Sequence, residues 1–270
     1  MNVHDQRLPH RALGATGIEV SVLGLGTVKL GRDEGVKYPA RFRIPDDREA
    51  RDLLALARDL GINLIDTAPA YGNSEERLGP FLKGQRDQWV ICSKVGEEFV
   101  DGESQFDFSP AHTRFSIERS LRRLDTDCID LVLVHSDGND ETIIREHGTL
   151  DALADLKREG KIRAFGMSTK TVAGGLLAAQ RSDCVMVTWN HAEQSEVEVV
   201  DYCREHNKGV LIKKALASGH LGGGDDPVES ALRMILAHSG VSSVIVGTIN
   251  PRHLRANVAA AIRAALKSDD

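Results

Sequence analysis

No run in this sequence is apolar for long enough to span a bilayer. The N-terminal stretch MNVHDQRLPHRALG is polar, without the apolar centre of a secretory signal. There is no basic block either: 34 Lys+Arg stand against 40 Asp+Glu, a modest acidic excess with no electrostatic footprint for nucleic acid. Cysteine is sparse and scattered. Cys92, Cys128, Cys184 and Cys203 show neither the CxxC spacing of a zinc site nor the density of a disulfide scaffold. The first three lie in or beside apolar runs, and all four read as small buried hydrophobes. Linkers, low-complexity tracts and sequence repeats are lacking too. What is left is the expectation of a soluble, cytoplasmic protein with no membrane and no nucleic-acid partner.

What is present is a regular alternation. The chain has 270 residues, 41% of them hydrophobic, enough for one α/β barrel or two smaller domains. Short β-branched or Leu-rich runs recur from Val20 onward: VSVLGLGT, INLIDTA, WVICSK, IDLVLVH, IRAFGMS, VMVTWN, GVLIKKA and SVIVGT. They read as apolar on both faces, as parallel strands covered by helices do. Amphipathic stretches fill the gaps, from DDREARDLLALARDLG to PRHLRANVAAAIRAALKS. Ser109-Pro110 and Asp226-Pro227 place a cap and a first-turn proline at helix starts, and Gly61, Gly160 and Gly240 fall just past helix ends. Eight βα units without a break in composition predict an α/β fold, a (β/α)8 TIM barrel forming a single domain over residues 1–270. The preceding RALGATGIEVSV reads as a short N-terminal β-hairpin turning at Ala15-Thr16-Gly17, outside the eightfold count.

In such a barrel the carboxyl ends of all strands open on one face, where the site is built. Asp66 ends the second strand, Lys94 the third and His135 the fourth, and Tyr71 follows Asp66 by five residues. Singly, each has a plain structural explanation: a turn cap, a solvated strand end, a packed ring, a satisfied core histidine. Together, at the ends of consecutive strands, they form a chemical set. A phenol with pKa near ~10 is a poor acid at neutral pH. A neighbouring ammonium lowers that value, a carboxylate fixes the ammonium, and an imidazole polarises a carbonyl oxygen. That combination suits reduction of a carbonyl to an alcohol, and the hydride has to come from a nicotinamide cofactor.

The stretches LIDTAPAYGNSEERLG, VICSKVG, DLVLVHSDG and GKIRAFGMSTK strongly resemble the aldo-keto reductase family, and the resemblance runs from about Leu13 to the final helix. It implies reversible, metal-free, NAD(P)H-dependent reduction of aldehydes and ketones. It also implies Tyr71 as general acid, Lys94 and Asp66 as the groups that tune it, and His135 as the group that orients the substrate carbonyl.

The cofactor site departs from familiar patterns. LGLGTVKLG has Gly24 and Gly26 but Lys29 where a third glycine would complete GxGxxG, so the Rossmann fingerprint is absent. The resemblance instead implies a nucleotide extended across the barrel mouth beside Gly26, Thr27, Val28 and Asp66. It places Ser168, Thr169, Met186, Lys213, Leu216 and Ser218 along the cofactor, and Gly247, Thr248, His253 and Asn257 at its adenosine end. Asn250-Pro251 opens a helix whose free N–H groups suit a phosphate. Gly247 and His253 stand where some relatives carry Lys and Arg, yet NADP(H) is expected over NAD(H). Thr169 replaces a customary Asn, Met186 a Gln and Lys213 a stacking aromatic, which predicts weaker hold on the nicotinamide. ASGHLGGGDDP, with three successive glycines, reads as a mobile loop.

After Lys94, VGEEFVDGESQFDFS reads as a long loop bringing Glu97, Glu98, Asp101, Glu103 and Asp107 to the catalytic face. Such an acidic rim favours neutral or cationic small-molecule carbonyl substrates over anionic ones. Three activities fit the sequence: carbonyl reduction, the same chemistry run as an NAD-dependent sugar or alcohol dehydrogenase, and a cofactor-binding regulatory protein with little turnover.

Overall fold

Inward-pointing residues of short parallel strands set the architecture. The computed structural model describes residues 7–36, 38, 40–219 and 226–266. An antiparallel pair, β1 (His10–Ala12) and β2 (Glu19–Ser21), precedes a closed barrel. Its strands are β3 (Leu23–Gly26), β4 (Leu64–Asp66), β5 (Val90–Val95), β8 (Ile129–His135), β9 (Ile162–Ser168), β10 (Cys184–Thr188), β11 (Gly209–Lys213) and β12 (Ser243–Val246), each parallel to the next in that order. The expected TIM barrel and hairpin are therefore both present, and each of the eight quoted runs contributes one barrel strand.

Helices cover the outside: α1 (Val28–Gly31), α2 (Asp47–Asp59), α3 (Ser74–Leu82), α4 (Pro110–Arg123), α5 (Asp140–Glu146), α6 (Thr149–Arg158), α7 (Val172–Arg181), α8 (Val197–Glu205), α9 (Pro227–Leu236) and α10 (Pro251–Leu266). The anticipated caps operate, since Ser109 and Asp226 accept hydrogen bonds from the amides of His112 and Glu229. Gly61 and Gly160 have left-handed φ of 90° and 76° beyond α2 and α6, whereas Gly240 lies four residues past α9. No described helix is long and apolar enough to cross a membrane.

Two apolar layers result. One lies between strands and helices; the other fills the barrel with Leu64, Cys92, Leu131, Leu133, Ala164, Cys184, Met186 and Leu211. Leu13, Ile18 and Val20 of the hairpin join this inner cluster and close the amino end of the barrel. A strand's side chains alternate faces with a period of two. The residue two past Leu64 is Asp66, two past Cys92 is Lys94, two past Leu133 is His135 and two past Leu211 is Lys213. The inner stack thus ends in polar groups at the carboxyl face. The stagger of the barrel completes the arrangement: Asp66 pairs with Cys92, Lys94 with Leu133, and His135 with Ser168.

Two expectations are corrected. VGEEFVDGESQFDFS is an antiparallel hairpin, β6 (Glu97–Val100) and β7 (Glu103–Phe106), turning on Asp101 (φ 52°) and Gly102 (φ 83°). An Asp-Gly pair with both φ positive matches the right-handed twist of a hairpin, which is why this segment pairs with itself. The short helices α1 and α5 are additional to those read from periodicity. The glycine-rich residues 220–225 lie outside the described residues.

Candidate active site

Tyr71 is held by a close approach of two backbones. A Cβ on Gly72 (φ 61°) would fall 2.0 Å from the Gly31 carbonyl oxygen, and one on Gly31 would fall 2.3 Å from that of Tyr71. Only glycine fits at either position, so the Tyr71 turn is clamped onto the end of α1. Arg32 Nη1 donates to the Ala70 carbonyl at 3.0 Å, and Ser74 Oγ donates to Thr27 Oγ1 at 2.9 Å. The turn after β4 is therefore tied to the segment after β3, and the phenol stands beside the barrel axis.

Lys94 is 1% exposed, and its Nζ donates to Asp66 Oδ1 at 2.6 Å and to the Thr67 carbonyl at 2.9 Å. The same nitrogen lies 4.8 Å from the centre of the Tyr71 ring. Burial works to lower the Lys94 pKa, but Asp66, Tyr71 and Cys92 outweigh it, and the ammonium is held charged well above its ordinary range. Burial raises the Tyr71 phenol above its ordinary value; Lys94 pulls it back while Asp66 and Glu97 push it further up. The ammonium acts in the expected direction without overcoming burial, so the phenol stays protonated at neutral pH.

The His135 ring meets that of Tyr71 edge-on, with centroids 6.3 Å apart. Its Nδ1 lies 2.6 Å from Glu97 Oε2, a close charge contact outside aligned hydrogen-bond geometry. Burial lowers the His135 pKa, and Glu97 opposes that. The acidic rim is correspondingly smaller than the sequence implied. Glu97 faces His135, Glu98 pairs with Arg119, and Asp107 accepts from the Ser109 amide at the start of α4.

A cavity of about 610 Å³ opens over these four groups. Gly26, Thr27, Val28 and Lys29 form one wall, Ser168, Met186, Lys213 and Leu216 another, and Gly247, Thr248, His253 and Asn257 the far end. Of the residues expected along a cofactor, Thr169 is the exception. It is fully buried, and its hydroxyl donates to Glu196 Oε1 at 3.2 Å instead of facing the cavity. The side chain of Ser218 lies outside the described residues. Ser168 accepts from Lys213 Nζ at 2.9 Å, and the Thr169 carbonyl accepts from the same ammonium. Burial lowers the Lys213 pKa to about 8, with Glu196 opposing. At the start of α10 the Arg252 amide is already taken by Asn250 Oδ1 at 2.9 Å.

Sequence reasoning missed two neighbours of this site, Tyr38 and Arg32. Tyr38 lines it, with Lys29 Nζ 3.8 Å above its ring, and no periodicity marks that segment. Arg32 stacks 3.3 Å from the Phe99 ring and senses Glu97 and Tyr71. Glu97 was signalled by the Asp-Gly turn that folds the hairpin back over the mouth.

Residues 22–226 match the family model of the Aldo/keto reductase family. A provisionally assigned aldo-keto reductase from Pseudomonas aeruginosa has a solved structure that is 60% identical, with a TM-score of 0.88, covering 96% of this chain and 97% of that one. Among other relatives, L-galactose dehydrogenase of Arabidopsis thaliana is 30% identical over 93% of this chain and 87% of its own length. D-threo-aldose 1-dehydrogenase of a Pseudomonas species is 30% identical over 78% of this chain and 70% of its own length.

Proposed function

Because the chain belongs to the aldo/keto reductase family, and so is an oxidoreductase of a kind that works with nicotinamide cofactors, we propose that it reduces an aldehyde or ketone to an alcohol, with Tyr71 as the proton donor. The observation that carries this reading is the placement of a buried, charged Lys94 against both Asp66 and the Tyr71 ring.

The residues present fit a dinucleotide. Lys29 and Lys214 supply cations for phosphates, Gly26 and Gly247 keep the wall free of side chains, and Thr248 and His253 stand at the start of α10. When bound, the nicotinamide supplies the hydride. A substrate oxygen placed between Tyr71 and His135 accepts a hydrogen bond from the Tyr71 hydroxyl as negative charge develops on it, and from His135 Nε2 when that nitrogen carries a proton. Tyr71 gives up its proton to that oxygen. Lys94 stabilises the phenolate left behind, and Asp66 holds the ammonium in place. NADP(H) is the expected cofactor, on the strength of the cationic and hydroxyl groups around the α10 start.

The two dehydrogenase relatives act, by their names, on L-galactose and D-threo-aldoses. They favour a neutral sugar carbonyl as one substrate class, and the reverse, oxidative direction as the second reading. Nicotinamide absorbance followed with a panel of aldehydes and aldoses, in both directions, tests the proposal. Turnover abolished by Tyr71→Phe and kept by Cys203→Ala supports it. Turnover that survives Tyr71→Phe removes Tyr71 from the role.

A further inference from the structure

Three nitrogen groups on inward positions at strand ends border the mouth: Lys94 on β5, His135 on β8 and Lys213 on β11. Each of the first two faces a carboxylate at 2.6 Å, Asp66 and Glu97 respectively. Lys213 differs. Its hydrogen bonds go to neutral oxygens, Ser168 Oγ and the Thr169 carbonyl, and among the described residues no carboxylate lies within ion-pair distance of it. Glu196, the acid that acts on it most, directs its oxygens to the Thr188 amide at 2.8 Å and the Thr169 hydroxyl at 3.2 Å. Asp140 is bound to the Lys170 and Thr171 amides and the Thr171 hydroxyl. Lys214 and Lys170 add positive charge, and the Lys213 charge reaches His135.

This asymmetry bears on the cofactor, and the inference rests on the reading above. The ring that delivers hydride must lie against a carbonyl held between Tyr71 and His135, hence in the mouth that Lys213 also lines. Losing hydride turns that ring from neutral to cationic; the phosphates keep the same charge in both states. We propose that the unmatched ammonium of Lys213 discriminates against the oxidised, cationic nicotinamide and so expels the spent cofactor. Two like charges in a partly desolvated site repel far more than in water, enough for a discrimination of about tenfold or more. Linkage is reciprocal: binding the oxidised cofactor drives a proton off Lys213, and binding the reduced cofactor does not.

Calorimetric titration of the full chain with NADP⁺ and with NADPH, between pH 7 and 9 and in buffers of different ionisation enthalpy, tests this without turnover. His135 is already neutral across that window, its pKa being lowered by burial. The expected result has four parts. NADP⁺ affinity rises relative to NADPH as pH passes about 8. Proton release accompanies NADP⁺ alone. Lys213→Met raises the NADP⁺/NADPH affinity ratio about tenfold and abolishes the release. Lys213→Arg keeps the discrimination but loses its pH dependence. An unchanged ratio in Lys213→Met, with both forms binding, overturns the inference and leaves the reductase reading standing. Should the variants fail to fold, a pH-independent ratio in the unaltered protein overturns it equally. If neither form binds, the dinucleotide reading falls, and this inference with it.

Discussion

Glu97 Oε2 lies 2.6 Å from His135 Nδ1, so the hairpin that follows β5 reaches over the mouth and bears on the imidazole. A carboxylate at one ring nitrogen fixes the rotation of the ring and leaves Nε2 as its other polar atom. Burial works to raise the Glu97 pKa, but His135, Ser104 and Arg32 outweigh it and hold the carboxylate at about 2. A depressed carboxylate pKa contributes stability that is fully present above the unfolded value and is lost as pH falls toward the folded one. Glu97→Gln is therefore expected to flatten acid unfolding between about pH 4.5 and 2. It is also expected to lower kcat about tenfold with little change in KM, because general-acid and positioning effects of this kind act on the reacting state. Steady-state kinetics and denaturation across that pH range check both.

The buried pair Lys94–Asp66 gives a stability test. Removing one partner leaves an unpaired charge where water does not reach, at a cost of about 3–5 kcal/mol. Lys94→Met alone should show a loss of that size in chemical denaturation. Lys94→Met combined with Asp66→Asn should recover much of it while remaining inactive. If the double variant is no more stable than the single one, the two groups are not paired in solution.

The barrel and its four central residues were legible because one rule, the period of two along a strand, governs both core and site. Leu64, Cys92 and Leu133 point inward, and so therefore do Asp66, Lys94 and His135 two residues on. Tyr71 was legible by its spacing, but its clamp was not. Gly31 and Gly72 lie 41 positions apart, and nothing local reports that their backbones touch. The net state of the phenol was misjudged for a related reason: charge partners can be counted along a sequence, while the burial that outweighs them is a property of the closed mouth. Thr169 was placed along the cofactor by the family resemblance, as the counterpart of a customary Asn beside Ser168. Consecutive strand-end residues face opposite ways, and Thr169 turns to Glu196.

That clamp yields its own expectation. Gly72→Ala puts a methyl 2.0 Å from the Gly31 carbonyl oxygen and asks an L side chain to hold φ at 61°. Left-handed strain alone costs about 1–3 kcal/mol, and the clash adds to it. The turn should relax by moving Tyr71, lowering both the melting temperature and kcat. Gly84→Ala, at a positive φ with open space around it, should cost stability only. Equal loss of activity in the two variants would show that the tight approach does not position the phenol.

The proposed preference for NADP(H) turns on the far end of the cavity, where Thr248 and His253 stand at the opening of α10. The 2′-phosphate that distinguishes NADPH from NADH is an anion, and a helix start offers N–H groups and a favourable dipole to it. One amide there, that of Arg252, is already satisfied by Asn250, so the side chains must supply part of the hold. NADPH is expected to exceed NADH in kcat/KM. His253→Ala should lower the NADPH value about tenfold or more while leaving NADH within about twofold, in line with the loss of one hydrogen bond to a charged group. Raising salt should narrow the preference, because exposed phosphate contacts are screened within about 8–10 Å at moderate ionic strength. Initial rates with both cofactors at two salt concentrations decide it. An enzyme that uses both equally at low salt, and is indifferent to His253→Ala, does not read the extra phosphate at this end.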